Sequence, residues 1–349
     1  MPAIGDSLEG KYTLEALIGT GGMGTVWRAR HERLGRSCAV KFLSTVESGK
    51  QALRTQRFIR EAQLAASIQH PNVVGIFDFG ELPTGELYMV MELLSGRSLG
   101  ERLENGPSLS LVKLCELVAQ SLSGLGAIHD KGIVHRDLKP ENIFLVDSGP
   151  EITVKVVDFG ISRSLVSSGI SSLRTGPGFT MGTPRFMSPE QVSSTSQIDG
   201  RTDLYALGVT LYRAATGKYP FEETDLQRIF VRTVTEDPIS AIKLRPELGR
   251  HFSEVIDRAL ARNPKDRFSS ASEFQAALHL AIETLPPGLM SLWDDPAART
   301  EPEGVEPFDI SRRSMRFSSS QFFRMRWRRM LPLAVVALVG LLAVTLLTR

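Results

Sequence analysis

A cluster of glycines near the N-terminus has the spacing of a loop that could bind phosphate groups. Residues 18–26 read IGTGGMGTV and contain the pattern G-x-G-x-x-G. A dinucleotide-binding loop of this kind would open a helix, but residues 26–30, VWRAR, alternate like a strand. The Gly-Lys-Ser/Thr ending of the other common phosphate loop is missing. The pattern therefore predicts a glycine hairpin between two strands. Because glycines carry no Cβ, its backbone N–H groups could close over phosphates.

A lysine one strand further on is a candidate phosphate ligand. Lys41 ends the apolar segment 38–41, CAVK, and such a lysine usually extends into solvent. Its closeness along the chain to the glycine cluster favours binding to a phosphate instead. A buried ammonium needs a carboxylate partner, and Glu61 on the next predicted helix is the candidate. The alternative for Glu61 is a solvated position on that helix.

Two further motifs follow in the middle of the chain. Residues 135–142 read HRDLKPEN, and residues 158–160 read DFG. With the glycine cluster and CAVK before them and Ser188-Pro189-Glu190 after them, they match the ordered motifs of protein kinases, with Ser in place of Ala in the last motif. Over residues 10–284 the chain resembles the eukaryotic-type Ser/Thr protein kinase family. The sequence of residues 70–74, HPNVV, resembles sequences of the bacterial branch of that family.

The resemblance implies a site for ATP. Lys41, held by Glu61, would bind the α- and β-phosphates, and Lys139 would neutralise the γ-phosphate. Residues 91–94 would form the hinge that binds adenine through backbone groups, with Met91 limiting the back of the pocket. The implied ATP-binding residues are Ile18, Gly19, Thr20, Gly21, Gly22, Met23, Gly24, Thr25, Val26, Ala39, Lys41, Met91, Glu92 and Leu94.

The resemblance also implies the groups that act on the acceptor and on the metal. Asp137 would accept or orient the proton of a Ser or Thr hydroxyl. Asn142 and Asp158 would bind Mg²⁺, with Mn²⁺ as an alternative, because such cations prefer hard oxygen ligands. Thr183 resembles the threonine that bridges Asp137 and Lys139 in Ser/Thr kinases.

Three further residues match structural positions of the family. Glu190 is expected to pair with Arg267, and Asp203 is expected to cap the backbone of the loop that contains Asp137.

The segment between Asp158 and Glu190 is a candidate regulatory segment. Arg136 beside Asp137 is a cation that a phosphothreonine could pair with, and Thr175 and Thr180 are the candidates for phosphorylation. The alternative is that this stretch is only a flexible polar loop.

The remaining pattern predicts an α+β chain with two lobes. The predicted strands fall within residues 12–43, at 73–79 and at 87–93. The predicted helices are 51–69, 111–130, 201–216, 253–261 and 271–283. We therefore expect a bilobal protein-kinase fold with a small β-rich N-lobe and a large, mainly helical C-lobe. Its predicted parts are an N-terminal extension at 1–11, the N-lobe at 12–94 and the C-lobe at 95–284.

The charge is distributed unevenly along the 349 residues. The formal net charge of +2 combines −6 on residues 1–309 with +8 on residues 310–349, where eight arginines and no acid occur. So small a net charge gives no global electrostatic case for binding nucleic acid. The two cysteines, Cys38 and Cys115, cannot form a disulfide framework or a four-ligand zinc site.

A membrane anchor is predicted at the C-terminus. Residues 330–347 carry no charge, and as a helix they would be about 27 Å long, close to the thickness of a bilayer core. The alternative is a buried core helix. Residues 285–329 read as a juxtamembrane linker that is basic at its end, which predicts a single-pass protein with the kinase in the cytoplasm and residues 348–349 outside.

The partners follow from these parts. The resemblance implies protein substrates and leaves the oligomeric state open, with a homodimer for autophosphorylation in trans as one arrangement. The arginines and aromatics of 312–329 could contact DNA, but beside a predicted span they suit anionic lipids better, so no nucleic acid is expected. The competing function is a catalytically impaired kinase-fold scaffold at the membrane, which would require the loss of a catalytic residue.

Overall fold

The computed structural model describes most of the chain up to Trp293. The described residues are 2–21, 24–43, 51–147, 152–159, 183–193, 195 and 198–293, with side chains at all of these except 51–54 and 183. Several predicted features lie outside the described residues: Gly22, Met23, Thr175, Thr180, the span 330–347 and the linker beyond residue 293.

The first part of the chain forms an antiparallel sheet of six strands with one helix. The strands are β1 (Ser7–Leu8), β2 (Tyr12–Gly21), β3 (Gly24–His31), β4 (Ser37–Leu43), β5 (Ile76–Glu81) and β6 (Leu87–Met91). They lie in the order β1-β2-β3-β4-β6-β5. The helix α1 (Gln51–Ala66) packs against β5, and its apolar face buries Phe58, Ala62 and Ala65.

The segment predicted as an N-terminal extension belongs to this sheet. Strand β1 pairs with β2, so that Leu8 lies beside Tyr12. Leu8, Tyr12 and Leu14 are buried in a second, smaller core together with Trp27 and other residues of the sheet. Residues that precede the predicted lobe therefore close part of its hydrophobic surface.

The second part of the chain is mainly helical and carries a small sheet. The strands are β7 (Gly96–Ser98), β8 (Ile143–Asp147) and β9 (Ile152–Val156). The helices are α2 (Leu99–Asn105), α3 (Leu111–His129), α4 (Pro189–Val192), α5 (Arg201–Thr216), α6 (Leu226–Thr235), α7 (Ala241–Leu244), α8 (Gly249–Ala259) and α9 (Ala271–Ile282). Side chains cap several of the N-termini. Ser98, Ser110 and Ser270, for example, accept hydrogen bonds from the backbone N–H three residues later.

Helices α3 and α5 form the centre of the helical part. Both are buried along most of their length, and α3 packs against α5, α9 and β9. A Cβ at Gly208 of α5 would lie 2.8 Å from the Cβ of Ala259, so glycine permits the close contact with α8. Among the described residues, α3 is the one helix with the length and composition to cross a membrane, and 61% of its most apolar stretch is buried inside the protein.

The α+β prediction is confirmed for the described residues, while some element limits differ. The predicted strand 73–79 begins only at Ile76, because the backbone on either side of Val73 bonds to Val156 of β9 instead of the larger sheet: Val74 N–H donates to the Val156 oxygen, and Val156 N–H donates to the Asn72 oxygen. Helix α8 begins at Gly249, four residues before the predicted start at 253. The larger sheet ends with β6 at Met91, and α2 begins at Leu99 after the short strand β7.

Candidate active site

A loop between α3 and β8 holds Asp137, and a buried carboxylate fixes the backbone of that loop. Asp203 at the start of α5 accepts hydrogen bonds from the backbone N–H groups of His135 and Arg136, both at 2.9 Å. Its carboxylate also contacts His129 Nε2 at 2.8 Å. Arg136 has a φ of +63°, a strained conformation that these bonds hold in place.

The polar side chains of this loop lie close together. Lys139 Nζ is 3.6 Å from Asp137 Oδ2, and both side chains are largely buried. Asn142 Nδ2 donates to the backbone oxygen of Asp137 at 2.7 Å. The backbone N–H of Val157 donates to the backbone oxygen of Asn142 at 3.0 Å, which joins the loop to the segment leading into Asp158. Asp137, Lys139, Asn142 and Asp158 are thus brought to one place.

Lys41 of β4 reaches this place from the other lobe. Its Nζ lies 2.7 Å from Asp158 Oδ1, and 8% of the Lys41 side chain is exposed. Desolvation raises the pKa of Asp158, but the charges of Lys41 and Lys139 outweigh that effect, and the pKa is lowered from its ordinary value. Asp158 also has a φ of +60°. An ionised carboxylate is therefore paired with the Lys41 ammonium group.

The predicted partner of Lys41 was Glu61. The ion pair that the structure describes for Lys41 is with Asp158, while Glu61 lies half-buried on α1. The pair between Lys41 and Glu61 stays a prediction. Sequence reasoning did not anticipate the observed pair, because its two residues are 117 positions apart.

The hairpin between β2 and β3 has the predicted form of a glycine loop between two strands. Gly21 pairs with Gly24 at its tip, and Gly19 and Thr20 pair with Val26 and Thr25. The apolar side chain of Ile18 is 49% exposed, so it is open to contact with a ligand. The hairpin adjoins β4, where Val26 pairs with Lys41.

Gly24 is the position in this hairpin that requires glycine. Its φ is +137°, and a Cβ there would lie 1.8 Å from the backbone oxygen of Phe42. We expect Gly24→Ala to lower the free energy of unfolding by about 1–3 kcal/mol or more, measured by urea unfolding. Gly21→Ala is the matched control, because a Cβ at Gly21 meets no atom within 4 Å. Equal effects of the two substitutions would contradict this account.

The predicted hinge is anchored by an ion pair that the sequence did not reveal. Met91 is buried and pairs with Ala39 of β4. Glu92 bonds through its backbone N–H to Gly75 at 2.8 Å, and its carboxylate lies 2.8 Å from Lys155 Nζ. Leu94, the other predicted hinge contact, is half-buried. Lys155 of β9 thus helps to hold the predicted hinge in place through Glu92.

Glu190 and Arg267 form the buried ion pair that their motif positions predicted. The Arg267 guanidinium donates two hydrogen bonds of 2.8 Å to the Glu190 carboxylate. The Arg267 side chain is 0% exposed and that of Glu190 is 7% exposed. Burial raises the pKa of Glu190, but hydrogen bonds from Arg267 and Thr202 outweigh it and lower the pKa from its ordinary value.

The side-chain oxygen atoms of Asn142 and Asp158 fit a divalent cation that also binds phosphate. Because Asn142 donates through Nδ2 to Asp137, its amide oxygen is the atom left to bind a cation. The Asp158 carboxylate adds a second hard oxygen ligand. Among the described residues no group of three or more His, Cys, Asp or Glu is gathered for a metal. Such a sparse donor set suits Mg²⁺, which usually takes its other ligands from phosphates and water.

Comparison with known proteins finds extensive similarity. The profile of the family described as Protein kinase domain matches residues 12–279. The serine/threonine-protein kinase pkn3 of Myxococcus xanthus is 40% identical over 279 residues, which are 79% of this chain and 50% of that protein. The serine/threonine-protein kinase PknB of Mycobacterium tuberculosis is 37% identical over 274 residues, which are 78% of this chain and 43% of that protein.

A solved structure extends this similarity to the fold. The crystal structure of the PknI kinase domain of Mycobacterium tuberculosis is 27% identical, with a TM-score of 0.61, and the match covers 80% of this chain and 100% of that one. The chain spans about half or less of the length of the curated relatives it matches.

Proposed function

This chain belongs to the protein kinase domain family, in its bacterial Ser/Thr branch, and we propose on that premise that it transfers the γ-phosphate of ATP to Ser and Thr hydroxyls of proteins. The observation that carries the proposal is the meeting of Lys41 and Asp158, 2.7 Å apart, beside the loop of Asp137 and Lys139. Cations for the phosphates and a carboxylate for the acceptor are thereby placed together.

Each residue has a separate role in the phosphoryl transfer. Asp137 takes the proton of the acceptor hydroxyl while the hydroxyl oxygen bonds to the γ-phosphorus. The bond between the γ-phosphorus and the oxygen that bridges the β- and γ-phosphates breaks, which releases ADP. Lys139, 3.6 Å from Asp137, offsets the charge on the γ-phosphate. Lys41 binds the α- and β-phosphates beneath the glycine hairpin. Asn142 and Asp158 would hold Mg²⁺, or Mn²⁺, which neutralises phosphate charge when bound.

The proposal predicts a defined product. The purified full chain is incubated with γ-labelled ATP, Mg²⁺ and a general protein acceptor, and the labelled protein is hydrolysed for phosphoamino-acid analysis. We expect phosphoserine and phosphothreonine. Absence of label on the acceptor, or label on tyrosine, would contradict the proposed function.

We propose further that the chain phosphorylates its own activation segment. Arg136 presents a half-buried cation beside Asp137, and a phosphothreonine from the segment after Asp158 could pair with it. The supporting candidates are Thr175 and Thr180. A homodimer would allow this reaction in trans.

A double substitution tests the autophosphorylation. We expect Thr175→Ala with Thr180→Ala to lower the rate of transfer to that of phosphatase-treated wild type, because the charge that orders the segment is lost. The double Thr→Ser variant is the control, since it keeps both hydroxyls. A wild-type rate in the alanine variant would contradict regulation through these threonines.

We also propose that residues 330–347 anchor the kinase to the cell membrane as a single pass, with the kinase in the cytoplasm. The support is a stretch of eighteen uncharged residues preceded by Arg324, Arg326, Arg328 and Arg329. These arginines would also attract anionic lipid headgroups.

A deletion tests the anchor. Cells expressing the full chain or the chain without residues 310–349 are fractionated, and the kinase is followed in membranes and cytosol. We expect the full chain in the membrane fraction and the shortened chain in the cytosol with transfer activity retained. Membrane retention of the shortened chain would contradict the anchor. A second variant that lacks residues 330–347 but keeps the arginines before them distinguishes the contribution of the span from that of the basic stretch.

A further inference from the structure

The chain continues to contact the helical part after α9. Residues 285–293, called the strap here, fold back across the helical part. The backbone N–H of Leu111 at the start of α3 donates to Leu289 at 2.7 Å, and that of Leu292 donates to Ala214 of α5 at 2.8 Å. The strap therefore joins the beginning of α3 to the end of α5.

The strap ends on an aromatic residue that covers a cation. Trp293 is 4% exposed, and the Arg213 guanidinium carbon lies 4.1 Å from the centre of the Trp293 ring. The same carbon lies 4.3 Å from the centre of the Tyr219 ring, and Arg213 also donates to the Tyr219 hydroxyl. Such contacts between a cation and a ring face are attractive and grow stronger when water is excluded. Arg213 thus links Trp293 to Tyr219.

Tyr219 in turn contacts the end of the segment that carries Thr183. The Arg185 guanidinium carbon lies 4.6 Å from the centre of the Tyr219 ring, and the Phe186 ring meets it edge to face at 6.0 Å. Arg185 is also tied to the backbone oxygen of Glu223 at 2.8 Å. Tyr219 therefore packs against the turn Thr183–Phe186.

This turn adjoins the catalytic loop. Phe186 and Met187 line the same recess as Arg136 and Asp137. Gln191, which follows the turn, donates from Nε2 to the backbone oxygen of Arg136 at 2.7 Å. The turn thus lies beside the loop that carries Asp137.

We propose that Trp293 is a positioning residue for the protein acceptor. It acts through Arg213 and Tyr219, which hold the turn Thr183–Phe186 where the acceptor approaches Asp137. The inference rests on the proposed function for the reaction that it influences. The ring face is the part of Trp293 that matters, because Trp293 Nε1 is buried and bonds to no acceptor among the described residues.

We expect the effect to fall mainly on the protein acceptor. The implied ATP-binding residues lie on the glycine hairpin, on Lys41 and at the hinge, whereas Lys139, Asn142 and Asp158, which would act on the γ-phosphate and the metal, belong to the C-lobe. Loosening the turn should therefore disturb the protein acceptor far more than the binding of ATP.

Two substitutions in the full chain separate the ring from simple burial. Trp293→Leu keeps an apolar side chain but removes the ring, whereas Trp293→Phe keeps a ring. We expect Trp293→Leu to lower kcat/KM for the protein acceptor about 10- to 100-fold, since small displacements near a reacting group have effects of this size. The KM for ATP should stay at the wild-type value, and Trp293→Phe should restore most of kcat/KM.

Hydrogen exchange supplies a readout that needs no activity. We expect the backbone amides of Thr183, Arg185, Phe186 and Met187 to exchange faster in Trp293→Leu than in the wild type, and at near wild-type rates in Trp293→Phe. The inference is overturned by unchanged exchange there, or by equal losses for ATP and the protein acceptor. A wild type that transfers no phosphate would instead refute the proposed function, while the exchange result would still decide the role of Trp293.

Discussion

Lys41→Met is expected to lower the rate of phosphoryl transfer about 10²- to 10³-fold, the range seen when one preorganised charge-stabilising group is removed. Lys41 Nζ lies 2.7 Å from Asp158, so the substitution removes a phosphate ligand and also the cation that keeps Asp158 ionised. The pKa of Asp158 would then rise, because desolvation would have less charge to oppose it. Steady-state transfer from labelled ATP to a protein acceptor measures the loss.

The chain offers a matched control for this experiment. Lys155 is a second largely buried lysine, and it pairs at 2.8 Å with Glu92 of the predicted hinge. Lys155→Met removes an ion pair of similar exposure but no predicted phosphate ligand. It should therefore retain most of the maximal transfer rate. Equal losses of kcat in the two variants would mean that Lys41 acts only through general stability.

Glu190→Gln is expected to lower the free energy of unfolding by about 3–5 kcal/mol, the usual loss when one partner of a buried ion pair is removed. The Arg267 side chain is 0% exposed, so its charge would lose its counter-ion, and the NH₂ group that replaces one carboxylate oxygen could not accept one of the two 2.8 Å hydrogen bonds. Urea unfolding followed by circular dichroism measures the difference.

A double variant and a pH series sharpen the test of this pair. Glu190→Gln combined with Arg267→Met removes both charges and should recover part of the lost stability. The pKa of Glu190 is lowered from its ordinary value of 4.5, so the pair contributes stability above pH 4.5 that is lost as the pH falls below it. A wild-type free energy of unfolding in Glu190→Gln would contradict this account. So would a pH dependence of stability in Glu190→Gln that equals that of the wild type.

Much of the site could be predicted because its residues occur in short contiguous motifs. The residues of HRDLKPEN lie in one loop, where local geometry brings Asp137, Lys139 and Asn142 together. The hairpin of β2 and β3 follows from glycines between two alternating strands. The pairing of Glu190 with Arg267 was accessible only through the family resemblance, since 77 positions separate them.

The contacts that escaped prediction join residues that are distant along the chain. Neither periodicity nor spacing indicates that Lys155 would hold Glu92, or that His129 would share Asp203 with the loop backbone. The strap was predicted as the beginning of the juxtamembrane linker 285–329. It packs nonetheless, because the start of α3 and the end of α5 offer backbone partners and Arg213 offers a cation to Trp293.

The central claim is that Asp137 and the groups gathered around it transfer phosphate from ATP to protein hydroxyls. The most direct measurement compares the wild-type full chain with Asp137→Asn at equal folded concentration, following label transfer from ATP to Ser and Thr of a protein acceptor. We expect the substitution to lower the rate about 10²- to 10⁴-fold, the usual contribution of a positioned general base. Equal rates in the two proteins, or no transfer by the wild type, would contradict the account.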